Sequence, residues 1–288
     1  MGFVLVTSAY NEADHIHATL DAVVAQFVRP DEWIIVSDGS SDDTDAIIRG
    51  YADRYGFIRY HRRDRDGGHS FGSKSRALNE AIGLISADGW DFLGVLDADI
   101  AFGPDYFARL LRNFDEDSRL GICGGHVAEL HDGELRPQAI SLDLTVAGAT
   151  QMFRRQCWEQ IGGFAALPFG GEDAAAEITA RSQGWKVRTD PRLPVRHFGF
   201  VGRGSGNLFR ASLRRGNAYW HLGYHPLFEL ARCLARLPRR PFVVGSLLEL
   251  SGYALAAIRR EGHLLPPATV AFLRGEQLDR LFARARAR

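Results

Sequence analysis

Through its first 127 residues the chain alternates short β-branched apolar runs with amphipathic stretches, the pattern of repeated βαβ units. This alternation leaves few choices of fold. Strands are predicted at 3–7, 33–37, 57–61, 91–96 and 120–127, and helices at 14–27, 42–55, 72–87 and 105–115. Turn chemistry separates them at Arg29-Pro30-Asp31, Asp38-Gly39-Ser40-Ser41-Asp42 and Arg65-Asp66-Gly67-Gly68, with Asp42 placed to cap the second helix. Right-handed crossovers would set these strands parallel, their carboxyl ends facing one cleft. Residues 128–200 read as mixed, with a strand-like stretch at 139–147 and a helix starting near Glu172. Residues 206–288 read as helical, broken by Pro226, Pro238, Pro241 and Pro266-Pro267. The expectation is an α/β domain over 1–205, a nucleotide-binding sheet flanked by helices, with a helical C-terminal extension over 206–288.

Composition narrows the class. With 45% apolar and 24% charged residues over 288 positions, the chain reads as an ordinary soluble globular protein with a sizeable core. Cys123, Cys157 and Cys233 are odd in number and far apart, which suits neither a disulfide nor a zinc framework and fits a reducing compartment. No basic n-region precedes the first strand-like run, so no secretory leader is expected, and the expected location is cytoplasmic. The net charge of zero hides an asymmetry: residues 1–196 carry 20 Lys/Arg against 30 Asp/Glu, and residues 197–288 carry 15 against 5. The basic residues form no recognised nucleic-acid-binding module, so nucleic acid is not an expected partner.

Four loops fall at the carboxyl ends of the predicted strands, where open α/β sheets bind ligands. The first, Thr7-Ser8-Ala9-Tyr10-Asn11-Glu12, offers an aromatic ring to the face of a base. The second, Ser37-Asp38-Gly39-Ser40-Ser41-Asp42, offers a carboxylate to the imino N–H of a uracil or thymine; either loop could equally serve only to cap a helix. The third, Gly67-Gly68-His69-Ser70-Phe71-Gly72-Ser73-Lys74-Ser75-Arg76, puts two cations near a helix start, as suits a phosphate, without P-loop spacing. The fourth, Asp97-Ala98-Asp99, closes the apolar run Phe92-Leu93-Gly94-Val95-Leu96. Carboxylates at i and i+2 can share one divalent cation that also takes phosphate oxygens, although such triplets also occur as solvated turns. Further on, Phe169-Gly170-Gly171-Glu172-Asp173 opens a helix. Its acids either complement the helix N-terminus or supply a general base, with Asp173 held ionised to take a proton from an attacking hydroxyl. His197 ends a strand-like run; a lone histidine is usually structural, yet imidazole is also a common metal ligand.

Taken in order, Thr7 to Glu12, Ser37-Asp38-Gly39-Ser40-Ser41-Asp42-Asp43-Thr44, Asp97-Ala98-Asp99, Ile161-Gly162-Gly163-Phe164, Gly171-Glu172-Asp173 and His197 resemble the family 2 glycosyltransferases of GT-A fold, over roughly residues 3–200. The resemblance implies that Ala9, Tyr10 and Glu12 line a nucleoside pocket, that Asp38 binds the base, and that Lys74, with Arg76, lies near the diphosphate. It implies that Asp97 and Ala98 approach the ribose and metal, that Asp99 is the principal ligand of a divalent cation (Mn2+ or Mg2+), and that His197 completes the metal site. Asp173 matches the catalytic base, and Gly162, Gly163, Phe164 and Glu172 match the region of the donor sugar and acceptor. The implied reaction is an inverting transfer from a nucleotide-sugar donor, UDP-linked sooner than dTDP-linked and with GDP open, to a glycan or lipid-linked glycan in bacterial surface polysaccharide synthesis. Two departures stand out. Ala9 lies where many members carry a nearby proline, and the Gln-x-x-Arg-Trp motif of processive synthases is absent, so a non-processive enzyme is expected.

Two other readings stay open at this stage: a catalytically silent nucleotide-sugar-binding protein and a sugar-phosphate nucleotidyltransferase. The second normally carries a glycine-rich basic loop near its N-terminus, which Thr7–Glu12 lacks. A dehydrogenase is expected still less, since no Gly-x-Gly-x-x-Gly follows the first strand. In the tail, Pro241 to Ile258 is mostly apolar and bracketed by Arg239-Arg240 and Arg259-Arg260. Its length is at the lower edge for a membrane span, and Glu249 at its centre would cost on the order of 2.5–3.5 kcal/mol on insertion. A buried helix and an interfacial helix over 239–260, touching the inner face of a membrane, are the alternatives to a span.

Overall fold

The computed structural model describes residues 2–64, 72–131, 134–138, 140–165, 167, 170–199, 208–237 and 242–286. Strands β1 (Phe3–Ala9), β2 (Glu32–Asp38), β3 (Ile58–Arg63) and β4 (Phe92–Asp97) run parallel in the order β3-β2-β1-β4. Helices α1 (Ile16–Val24), α2 (Thr44–Ala52) and α3 (Gly72–Gly83) make the crossovers, as the alternating pattern requires. Along β1 the side chains divide between the two faces of the sheet. Phe3 and Leu5 pack with Ile16, Leu20, Trp33 and Phe92, whereas Val4 and Val6 pack with Ile34, Leu78 and Val95. Both faces are therefore covered, which explains why the first strands are continuously apolar.

Beyond β4 the sheet becomes mixed. The chain passes through β5 (Ile100–Phe102), α4 (Tyr106–Glu116), β6 (Leu120–His131), β7 (Glu134–Pro137), β8 (Thr150–Arg154), α5 (Arg155–Ile161), α6 (Glu172–Ser182) and β9 (Lys186–His197). The order continues β4-β8-β6-β9-β5, with β7 on β6; β8 is antiparallel to β4 and β6, and β9 is parallel to β6. The strand-like reading of 139–147 is corrected: residues 140–149 form loop and turns, and residue 139 lies outside the described residues. The alternation there is real, but its backbone groups are met by local turns and by side chains instead of a ladder. The Val146 N–H donates to Glu177 (2.7 Å), Arg181 donates to the Leu144 carbonyl (2.6 Å) and Thr189 Oγ1 donates to the Thr145 carbonyl (2.6 Å).

The described chain divides into one unit of residues 1–168 and 172–200 and a second of 169–171 and 201–288. The expected boundary at 205/206 falls among residues outside the described ones, as do Phe169, Pro238 and Pro241. The second unit is helical: α7 (Leu208–His221), α8 (Pro226–Arg236), α9 (Phe242–Ile258) and α10 (Pro267–Arg286). Pro226 and Pro267 each open a helix, where the missing N–H costs nothing. The three cysteines are buried and free.

Candidate active site

Register brings the first two loops together. Ser8 pairs with Asp97 on β4, and Ala9 with Ser37 on β2, so Ala9, Asp38 and Asp97 end adjacent strands at one edge of the sheet. The loops are then knitted to each other. The Glu12 N–H donates to Thr44 Oγ1 (2.8 Å), the Ala13 N–H to Asp42 Oδ2 (3.1 Å) and the Ser41 N–H to Asn11 Oδ1 (2.8 Å). Asn11 adopts φ 53°, a left-handed conformation that asparagine tolerates better than most residues. Ala9 is buried and Tyr10 is exposed, its ring available to solvent. The N-cap of the second helix is Asp43 instead of the expected Asp42, and its side chain makes no capping bond; Asp42, one residue earlier, accepts from the Thr44 N–H (3.0 Å). Asp38 is buried, accepting from Arg63 Nη1 (3.0 Å) and Ser73 Oγ (2.5 Å), which ties the end of β2 to the start of α3.

The next residue of α3, Lys74, reaches β4. Its Nζ lies 2.5 Å from Asp97 Oδ1. Burial opposes the ammonium charge, but Asp97, Glu172 and Asp173 outweigh it and raise the Lys74 pKa above the ordinary lysine range. Asp99 follows at the β4–β5 turn. Strand β5 pairs with β9 in the register Ile100–His197, which brings together Asp99 and a histidine 98 positions away in the chain: His197 Nε2 lies 3.2 Å from Asp99 Oδ1. Burial works against the Asp99 charge, yet the His197 hydrogen bond and the Lys74 charge lower its pKa; burial likewise opposes the imidazolium, and Asp99 raises the His197 pKa.

The donor set of Asp97, Asp99 and His197 fits a hard divalent cation. One ligand atom from each lies within 4.8 Å of the others, and two carboxylates with one imidazole suit Mn2+ or Mg2+. The buried His197 Nδ1 makes no hydrogen bond; Glu129 Oε1 stands 3.8 Å from it, because Glu129 of β6 is the register partner of His197. A carboxylate behind a ligating histidine is the usual outer support of a metal site. Gly199 completes the enclosure, since a Cβ there would overlap Asp99 Oδ2.

Glu172 and Asp173 open α6, and both charges act on Lys74. Asp173 Oδ1 accepts the Ala174 N–H (2.8 Å), and its Oδ2 faces Gly148, where a Cβ would stand 2.5 Å away. Burial and the neighbouring Asp173 charge push the Glu172 carboxyl up. Sequence reasoning missed Gly148, Gly199, Glu129 and, most clearly, Glu177. One helical turn beyond Asp173, the buried Glu177 accepts from the Val146 N–H (2.7 Å) and from Gln151 Nε2 (2.9 Å). It thereby anchors the 146–151 loop, whose Gly148 touches Asp173 and whose Ala149 carbonyl accepts the Asp97 N–H (3.1 Å). A charged residue on the apolar face that carries Ala176 and Ala180 was the available signal.

Burial, then the Asp173 charge, push the Glu177 carboxyl up to about 8 from 4.5. The folded state thus holds a proton that the unfolded chain releases. Stability should fall as pH rises from about 4.5 to about 8, by up to about 1.4 kcal/mol per unit, and level off above. Glu177→Gln keeps the acceptor oxygen and removes the titration. Urea unfolding at about pH 5 and about pH 8 should therefore show a flatter profile in the variant; an equal slope in both proteins would refute a proton on Glu177.

Arg76 is exposed on α3, while Gly67 to Phe71 lie outside the described residues. Gly162 is the left-handed C-cap of α5, Gly163 packs on Trp158, and the buried Phe164 ring meets Trp158 and Phe153 at centroid distances of 5.1 and 5.6 Å. Ala98 is buried between the two acids.

Known proteins share this fold. Mannosyltransferase PcManGT from Pyrobaculum calidifontis, solved with GDP-Man and Mn2+, superposes with a TM-score of 0.57 at 18% identity, over 96% of this chain and 79% of that one. TarS 1–349 from S. aureus, solved with UDP-GlcNAc, gives 0.54 at 14% identity, over 91% and 74%. Identities this low speak to the fold alone, which is the expected GT-A fold. Poly-beta-1,6-N-acetyl-D-glucosamine synthase from Staphylococcus aureus (strain MSSA476) is 33% identical over 125 residues, 43% of this chain. The match spans only 28% of that relative's length. The sequence profile described as Glycosyl transferase family 2 matches residues 4–170, more than half of the chain, and the chain belongs to that family.

Proposed function

We propose that the chain is an inverting, non-processive glycosyltransferase that moves a sugar from a nucleotide-sugar donor to a hydroxyl of a glycan or lipid-linked glycan. The observation that carries this reading is the convergence of two acid pairs on Lys74: Asp97 with Asp99 from one strand end, Glu172 with Asp173 from a helix start. Four carboxylates, with Glu129 behind them, gather around Lys74 and His197. A diphosphate would be repelled by so acidic a site unless a cation were held there. Asp97, Asp99 and His197 would hold Mn2+ or Mg2+, which when bound neutralises charge developing on a leaving diphosphate.

The chain's own residues supply the rest. Tyr10 and the paired first and second loops hold the nucleoside, with Asp38 supporting the base side. Lys74 adds fixed positive charge beside the diphosphate. Asp173 removes the proton from the attacking hydroxyl; the new C–O bond forms as the bond to the diphosphate breaks, and the diphosphate leaves with the electron pair. One displacement inverts the anomeric carbon. A UDP-linked donor and a place in bacterial surface polysaccharide synthesis are supported by the matched poly-GlcNAc synthase and by TarS, whose structure holds UDP-GlcNAc.

The test is a donor panel read as nucleoside diphosphate release with and without Mn2+, followed by mass measurement of products on soluble and lipid-linked acceptors. Metal-stimulated release from one donor and a one-sugar mass increment are expected. Binding without release would instead establish the silent nucleotide-sugar-binding reading. Gly148→Ala probes the base directly. A methyl 2.5 Å from Asp173 Oδ2 and 3.2 Å from its Cβ must turn that carboxylate aside. A fall in kcat of about tenfold or more is expected, with nucleotide affinity unchanged by calorimetry.

A further inference from the structure

The second unit carries an apolar surface with no function assigned to it. Helix α9 leaves Val243, Val244, Leu247, Leu255 and Ile258 exposed, Leu247 at 57% and Ile258 at 78%. From Val244 onward these positions follow the spacing of one helix face, with Ser251 between them. Ser251 adds no free polar group, because its hydroxyl donates to the Leu247 carbonyl (2.8 Å). On α8, Leu227, Leu230 and Leu234 form a second exposed stripe at i, i+3 and i+7.

We propose that these stripes of α8 and α9 dock the protein onto an anionic lipid bilayer, α9 lying in the plane of the interface. Three observations favour lipid over a protein partner. First, the faces are aliphatic and offer no free hydrogen-bonding group, which a hydrocarbon layer accepts and a specific protein contact would usually require. Second, the charge is complementary: residues 197–288 carry 15 Lys/Arg against 5 Asp/Glu, and arginine pairs 239–240 and 259–260 flank α9 in sequence, a composition that suits anionic lipid phosphates. Third, α9 is built to lie on a membrane and not to cross it. Its 17 residues span about 25 Å, and no described helix is long and apolar enough for a span. Glu249 sits on the opposite, buried side, bonded to Arg232 and within 3.4 Å of Arg215. That ion pairing keeps the helix's one charge out of lipid while its other side stays apolar.

The experiment uses the full chain and vesicles of phosphatidylcholine with and without phosphatidylglycerol. Sedimentation with the anionic vesicles at low salt, and release at high salt, is expected. Leu247→Glu and Leu234→Glu, at exposed positions, should each weaken partition by about tenfold or more without lowering the melting temperature or nucleotide binding. Equal partition of wild type and both variants, or no sedimentation of the wild type, would overturn the proposal. So would a wild-type dimer that Leu247→Glu splits while vesicles fail to bind, which would assign the face to a second copy of the chain.

Discussion

Asp173→Asn is expected to lower sugar transfer by roughly 10²- to 10⁴-fold, the range a positioned general base contributes, while leaving nucleotide affinity as it was. The substitution is close to a pure removal of basicity. Asparagine keeps the oxygen that accepts the Ala174 N–H and the volume that fills the space beside Gly148. Lys74 keeps its hydrogen bond to Asp97, so the ammonium beside the diphosphate stays in place. One side effect has a defined sign. The Asp173 charge helps to raise the Glu177 carboxyl, so Glu177 should titrate at lower pH in the variant, visible as a shift in the pH dependence of its stability. Single-turnover transfer and calorimetric titration of donor separate chemistry from binding. A variant that transfers at near the wild-type rate would place the proton acceptor elsewhere.

Strands β1, β2 and β4 were legible because each apolar run is buried on both faces and bounded by glycine, proline or acidic turns; β3, in which only Ile58 is buried, was legible from the βαβ alternation around it. The rest of the sheet was not, for physical reasons that can be named. In β9, Pro191 and Pro194 interrupt the strand signal; the pairing survives because the register slips between Gly125 and His126 on β6. Residues 140–147 alternate like a strand, yet Glu177, Arg181 and Thr189 satisfy their backbone groups from elsewhere. The site divides in the same way. Asp97, Asp99, Asp173 and His197 stand out as chemistry-bearing residues at element ends. What joins them does not: the β5–β9 register that brings His197 to Asp99, the glycines that admit the carboxylates, and Glu177, whose meaning depends on a loop 31 residues earlier. The same holds for Glu249, which in sequence argues against membrane insertion but in the folded helix faces Arg232 on the buried side.

Asp99→Asn should abolish the metal-dependent part of donor binding, a loss greater than the roughly 10- to 100-fold that follows from changing a mere outer support of a metal ligand. The surroundings of the Asp99 carboxylate leave it no substitute. It is largely enclosed, with Gly199 against Oδ2 and His197 Nε2 against Oδ1, so no neighbouring acid can swing in to replace it. Asp97 is already bonded to Lys74 and cannot supply a second full carboxylate without giving up that ammonium. An asparagine amide fills the space but brings no charge, leaving Asp97 as the one anionic ligand of the three-residue set. Titration of UDP with and without Mn2+ should show strong metal enhancement in the wild type and in Asp173→Asn, and none in Asp99→Asn. Melting of the metal-free proteins separates ligand loss from misfolding, because the variant removes a buried ion pair as well as a ligand. If Asp99→Asn kept the wild-type enhancement, the cation would bind outside this cluster, and the acid pair at the end of β4 would serve only to hold Lys74 and His197 in place.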